Sequence, residues 1–287
     1  MKKMKTGTII LIVVCFVGLC ALLYPTVADY WNKNIATSAI SKYVDMTVHI
    51  KKEDYQKYWS DAIQYNKDLL ELDNVLAIPE SMQDRYNRCL NVNGLNIMGY
   101  IDIPKINVSL PIYHGTSDTV LSNAVGHLDW TSLPTGGPGT HCCLSGHRGL
   151  VKAKLFSDLD MLHEGDYFTL KVLNETLTYE VDQIRTVEPD VITDLAIEED
   201  KDYCTLITCT PYGINTHRLL VRGHRIDNIY GDANVVSEAV QIDQLIVAVI
   251  LAVPILFALF MMVMLKKPEP SKKKIEQMIK KEGGNAE

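Results

Sequence analysis

The sequence predicts a mostly β protein: a closed barrel or sandwich of short strands, preceded by a helical segment and bracketed by two apolar stretches. Three observations lead there. Short alternating runs, separated by Gly, Pro, Asn and Asp clusters, fill the chain from Gly99 to Arg225. Apolar residues at three- and four-residue steps occupy the region before them. The apolar excess behind a mean hydropathy of +0.02 sits in one block near each end. Charged residues make up 22% and hydrophobic ones 47% of the 287 residues, so the chain is not largely disordered. A net charge of −7 argues against a nucleic-acid binder.

The first apolar block follows Lys2, Lys3 and Lys5 and runs without a charge from Thr8 to Leu23. The second runs from Leu245 to Leu265 and meets Lys266 and Lys267. About 20 apolar residues span a bilayer core. The second block is long enough, and the first becomes so once Tyr24 to Val27 are included. Lysines flank each block on its outer side only, which by the positive-inside rule places both termini in the cytoplasm and the rest outside. Residues 25–241 carry 18 Lys and Arg against 30 Asp and Glu, a balance of −12, whereas residues 1–24 carry +3. Thr26-Val27-Ala28 gives the first block a second reading, as a signal peptide with a small-residue cleavage site. Pro254 inside the second block is tolerated in membrane helices. The expected organisation is an anchor or signal peptide over 1–28, a helical lead-in over 29–90 and a β domain over 91–230. A linker over 231–244, a transmembrane helix over 245–265 and a basic cytoplasmic tail over 266–287 follow.

In the lead-in, Tyr55, Tyr58, Trp59, Ala62, Ile63, Leu69 and Leu70 form one helical stripe whose expected role is packing. Strands are expected from Tyr100, over Val108–Tyr113, Thr140–Leu144, Tyr167–Val172, Leu177–Ile184, Tyr203–Thr208 and Leu219–Arg225, with a short helix over Ala153–Leu159. There is no internal repeat.

Of seven cysteines, only Cys89, Cys142, Cys143, Cys204 and Cys209 lie between the apolar blocks, so at least one thiol is unpaired. No C-x-x-C spacing or clustered ligand set is present, and neither a metal nor a cofactor is expected. Tyr203-Cys-Thr-Leu-Ile-Thr-Cys209 alternates, a loop follows, and His217-Arg-Leu-Leu-Val-Arg222 alternates again. This is a β-hairpin pattern. With the loop centred on Gly213 and Ile214, Cys209 and Arg218 face each other across the strands. A guanidinium beside a sulfur favours the thiolate and can hold an oxyanion formed when the sulfur attacks a carbonyl. Alternation sends Cys204 to the opposite face from Cys209. A thiol nucleophile also needs an acid/base partner. His147, between Gly146 and Gly149 at the end of a strand-like run, has the best local setting. His127 has a similar, weaker one, and His217 should point away from Arg218.

These residues are recognisable. Thr205-Leu-Ile-Thr-Cys-Thr-Pro-Tyr-Gly-Ile-Asn-Thr-His-Arg-Leu-Leu-Val-Arg-Gly223 resembles the cysteine signature of the sortases, in the long form of class C, the pilus-assembling type. Leu144-Ser-Gly-His-Arg-Gly149 resembles their histidine motif, and Gly99-Tyr-Ile-Asp-Ile-Pro-Lys-Ile106 and Leu155-Phe-Ser-Asp-Leu159 also match. The resemblance covers about Asn91 to Ile226 and implies an eight-stranded β-barrel in a Gram-positive envelope. It implies Cys209 as nucleophile, His147 as general acid/base and Arg218 as oxyanion or substrate-binding group. The implied partners are pilins or surface proteins with an LPXTG-like sorting signal, and an acceptor amine from a second pilin or from peptidoglycan. Peptidoglycan anchoring, a thiol protease using water and a non-enzymatic scaffold are the alternatives.

Two departures stand out. Many class C sortases carry an Asp-Pro-aromatic lid over the active site, whereas Val75-Leu-Ala-Ile-Pro-Glu-Ser-Met82 has Glu80 after Pro79. Leu150-Val151 stands where Leu-Pro is usual. Leu133-Pro-Thr-Gly-Gly137 resembles a sorting signal, but lies mid-chain and reads as a tight loop.

Overall fold

The computed structural model describes residues 6–72 and 74–228, and the linker 231–244, the second apolar block and the tail lie outside them. Helix α1, Thr6–Val48, contains the first apolar block. Among the described residues no helix is long and apolar enough to cross a membrane. Further along, α1 docks onto the β domain. The Tyr43 hydroxyl, fully buried, donates to the Met98 carbonyl and accepts from the Leu173 N–H, both at 2.7 Å.

Helix α2, Lys52–Leu70, buries Ala62, Tyr65, Asn66 and Leu69. That is an i, i+3, i+4, i+7 face. Tyr55, Tyr58 and Trp59 pack along it as expected, but Ile63 and Leu70 are exposed. Each follows a buried residue by one position and is turned about 100° away. Helix α3, Glu80–Arg88, buries Met82 and Tyr86 one turn apart and is tied to α2 through Arg85 and Asp68.

The barrel strands are β1 Ile97–Ile103, β2 Val108–His114, β3 Val125–His127, β4 Thr140–Ser145, β5 Tyr167–Val172, β6 Glu175–Val187, β7 Asp202–Thr210 and β8 His217–Ile226. They close in the order β1-β2-β3-β4-β7-β8-β6-β5. The eight-stranded barrel and its helical lead-in are therefore present as expected. Strand β3 was not expected: three residues are too few to show alternation. It fits because Gly126 has no side chain, as a Cβ there would lie 2.4 Å from the Gly115 carbonyl oxygen.

The helix expected over Ala153–Leu159 does not form. Turns run there instead, with a 3-10 turn at Leu159–Met161. Leu155 adopts φ 39°, which no right-handed helix admits, and the Lys154 N–H is taken by Asp29.

Leu133-Pro134-Thr135 is a buried loop. The Asn66 carboxamide donates to the Leu133 carbonyl (3.0 Å) and Thr135 Oγ1 (2.9 Å) and accepts from the Leu133 N–H (2.8 Å). Asn66→Ala strands these buried groups and should cost about 2–4 kcal/mol. A denaturation midpoint indistinguishable from wild type would contradict this account.

Candidate active site

Strand β7 lies between β4 and β8. Against β8 it runs antiparallel, and Cys209 pairs directly with Arg218, as the hairpin pattern requires. Against β4 it runs parallel, with Cys142 opposite Cys204 and Ser145 opposite Ile207. The ladder continues one step further: the Gly146 N–H bonds the Ile207 carbonyl at 3.0 Å, and Thr208 Oγ1 donates to the Gly146 carbonyl at 2.7 Å. The next residues are His147 and Cys209. The register thus sets His147, Cys209 and Arg218 in one row across three adjacent strand ends, with the thiol in the middle.

The chain can turn at His147 because Gly146 is small. A Cβ there would lie 2.7 Å from the Phe156 ring. The three side chains are half-buried, so a ligand can reach them. Arg218 Nη1 bonds the His217 and Asn215 carbonyls at 3.1 and 3.5 Å. No carboxylate pairs with it among the described residues, which leaves its charge uncommitted.

Below the row, the same face carries Ile207, Leu220 and Cys143. Leu195, Leu128, Trp130 and Val187 pack around them as a small apolar cluster apart from the barrel core. Of these, Leu128, Trp130 and Val187 are half-buried and form the accessible part of the cluster.

The other candidates sort by reach. Cys204 lies fully buried in the barrel core, on the opposite face from Cys209, and burial pushes its thiol up. Burial opposes ionisation of Cys142 too, while the neighbouring Cys204 and His127 draw its thiol down. Cys142 is also enclosed, 2% exposed, and no peptide carbonyl can approach it. His127 is sealed in, with Nδ1 against the Tyr86 hydroxyl (3.1 Å) and Nε2 against the Ser132 carbonyl (2.8 Å). His217 pairs with Thr210, one step beyond Cys209, and contacts Thr216 Oγ1.

Arg148 was missed. Its guanidinium donates to Thr210 Oγ1 (3.2 Å) and pairs with Asp160. It also lies 5.8 Å from the centroid of the Tyr212 ring. It therefore ties the residue after His147 to the loop after Cys209. Its place beside His147 was the only signal in the sequence, since Asp160 joins it through the fold.

The pre-barrel segment packs on the barrel core. Leu72, Val75 and Ile78 pack on the main core, Glu80 is exposed, and among the described residues no bond or ion pair from 74–82 reaches His147, Cys209 or Arg218. Replacing Val75–Ile78 with Gly and Ser should therefore leave the rate of Cys209 alkylation unchanged. A large acceleration would reveal a lid. Cutting the chain before Asn91 is no substitute, because Tyr65, Leu69 and Tyr86 belong to the core.

The sortase domain family matches residues 101–226. Sortase D of Bacillus subtilis is 31% identical over 131 residues, which span 45% of this chain and 63% of that protein. The chain thus covers less than two thirds of that relative's length. Among solved structures, sortase C1 of Streptococcus agalactiae is 52% identical, with 67% of this chain and 99% of that one covered and a TM-score of 0.64. Clostridium perfringens sortase C, solved with the C-terminal cell wall sorting motif, is 45% identical, with 67% and 100% covered and a TM-score of 0.60. With this barrel, and with more than half of all positions shared with sortase C1 along nearly its whole length, the chain belongs to the sortase family.

Proposed function

We propose that the protein is a cysteine transpeptidase that cuts an LPXTG-like sorting signal between Thr and Gly and joins it to an amine of another protein, polymerising pilins. The observation that carries this reading is the row His147–Cys209–Arg218. Cys209 Sγ, as thiolate, attacks the threonine carbonyl carbon, and the carbonyl oxygen becomes an oxyanion beside Arg218. The tetrahedral centre collapses, the C–N bond breaks, and the glycine amine leaves with a proton from His147. The acyl-thioester then accepts an amine, His147 takes back a proton, and Cys209 is freed as a new amide forms. The chemistry is balanced without a metal or cofactor. The class C likeness supports a pilin donor, and the sorting motif named with the Clostridium perfringens relative supports a sorting-signal substrate.

The test combines purified enzyme with a sorting-signal peptide and either a pilin or a peptidoglycan stem peptide as acceptor. A thioester on Cys209 followed by a pilin–pilin amide is expected. Transfer only to the stem peptide would replace polymerisation by wall anchoring, and release by water alone would make the protein a protease.

The reading includes a membrane setting: apolar segments 8–27 and 245–265 hold the enzyme, both termini are cytoplasmic, and the β domain over 91–230 is outside. On intact protoplasts a C-terminal tag should resist external protease. Its digestion would refute the two-anchor arrangement, and a mature chain starting near Asp29 would make the first block a signal peptide.

A further inference from the structure

His147 is held by its backbone alone. Among the described residues its imidazole makes no hydrogen bond, ion pair or ring contact, so the ring goes where the loop 147–156 carries it. Inside the β domain that loop is fastened by Phe156 N–H to the His147 carbonyl (3.2 Å), by Gly149 N–H to Ser157 Oγ (3.1 Å), by the Arg148 guanidinium on Thr210 and Asp160, and by Leu150, Ala153 and Leu155 packed on the barrel core. Its far side, Leu150–Leu155, forms no regular element.

Two backbone groups of that far side are held, in addition, from outside the barrel. Asn32 Nδ2 of α1 donates to the Lys152 carbonyl, and Asp29 Oδ1 accepts from the Lys154 N–H at 2.8 Å. Asp29 is itself steadied by Lys33 at 3.3 Å. Asp29, Asn32 and the buried Ala36 stand at i, i+3 and i+7, one face of the helix, while Tyr30 and Trp31 point to solvent. Two backbone groups of a segment without its own ladder thus find partners on a helix about 120 residues earlier in the chain.

We propose that Asp29 and Asn32 are positioning residues for His147: α1 braces the histidine loop and thereby sets where the acid/base ring stands relative to Cys209. This rests on His147 acting as the acid/base. The effect should fall on the chemical step, because neither residue lies on the face that carries Cys209, Ile207 and Leu220. The fold should survive without the brace, because Tyr43 independently fastens α1 to the Met98 carbonyl and the Leu173 N–H.

The test uses the full-length chain in detergent micelles, with a sorting-signal peptide and an amine acceptor. Asp29→Ala combined with Asn32→Ala should lower kcat on the order of 10- to 100-fold, the scale of a small misplacement of a catalytic group. KM should stay at its wild-type value, and Tm should fall by only a few degrees. Asp29→Asn keeps a carboxamide oxygen for the Lys154 N–H and should restore most of kcat when Asn32 is intact. An unchanged kcat in the double variant overturns the proposal. So does a loss of kcat that tracks a larger fall in Tm, or an Asp29→Asn variant as slow as Asp29→Ala. If the wild-type chain forms no thioester, or if His147→Ala turns over normally, the reading of the site itself fails, which is a separate result.

Discussion

Cys209→Ala will form no acyl-thioester with a sorting-signal peptide and will lose turnover by about 10⁴-fold or more, the scale of removing a covalent nucleophile. The expected size follows from the lack of a substitute. Cys142 and Cys204 are buried in the barrel core, Cys143 is fully buried in the apolar cluster on the face of Cys209, and Cys89 is buried where α3 ends. None can reach a peptide carbonyl on the face that carries His147 and Arg218. Cys204→Ala, in contrast, will keep turnover and lose about 1 kcal/mol of stability, the cost of a small core truncation. Mass spectrometry of enzyme trapped with the peptide decides the matter. An adduct on Cys204 or Cys142, or turnover by Cys209→Ala, would overturn the assignment.

Arg218→Lys will lower kcat by about 10²-fold or more, as loss of an oxyanion donor does. Lysine keeps the positive charge, so a purely electrostatic role would survive the change. The planar fork would not. In the structure one guanidinium nitrogen is already turned towards the His217 and Asn215 carbonyls. The others remain for sulfur and oxyanion, a division of labour a single ammonium cannot match. Stopped-time assays of peptide cleavage measure the effect. Turnover close to wild type would reduce Arg218 to a structural side chain that caps its own loop.

The barrel was legible where strands are long enough to alternate, as in Tyr167–Val172, whose buried and half-buried residues strictly take turns. It was illegible at Val125–His127, which exists only because two neighbours pair with it. The false helix at Ala153–Leu159 has a similar cause: a contact with Asp29, distant in sequence, uses a backbone group that a helix would need. Within the site, the pairing of Cys209 with Arg218 could be read because a hairpin is local. Choosing His147 over His127 could not be settled from local chemistry. The parallel pairing of β4 with β7 and the closed pocket around His127 both arise from long-range packing. Family resemblance favoured His147, which follows the backbone bond from Gly146 to the Ile207 carbonyl, one residue past the paired end of β4.

The row of three side chains also has a history in time. Cys209 and Arg218 meet by closing one short loop, Pro211–Thr216, a contact between strands adjacent in sequence. His147 joins them only when β4 and β7 pair in parallel, across all of β5 and β6, and non-local pairings of this sort are the slow events of folding. The sulfur therefore meets its arginine early and its proton donor late. A chain caught between these two stages would hold the thiol beside its arginine with His147 not yet in place. The enzyme gains its chemistry as one of the last consequences of closing the barrel.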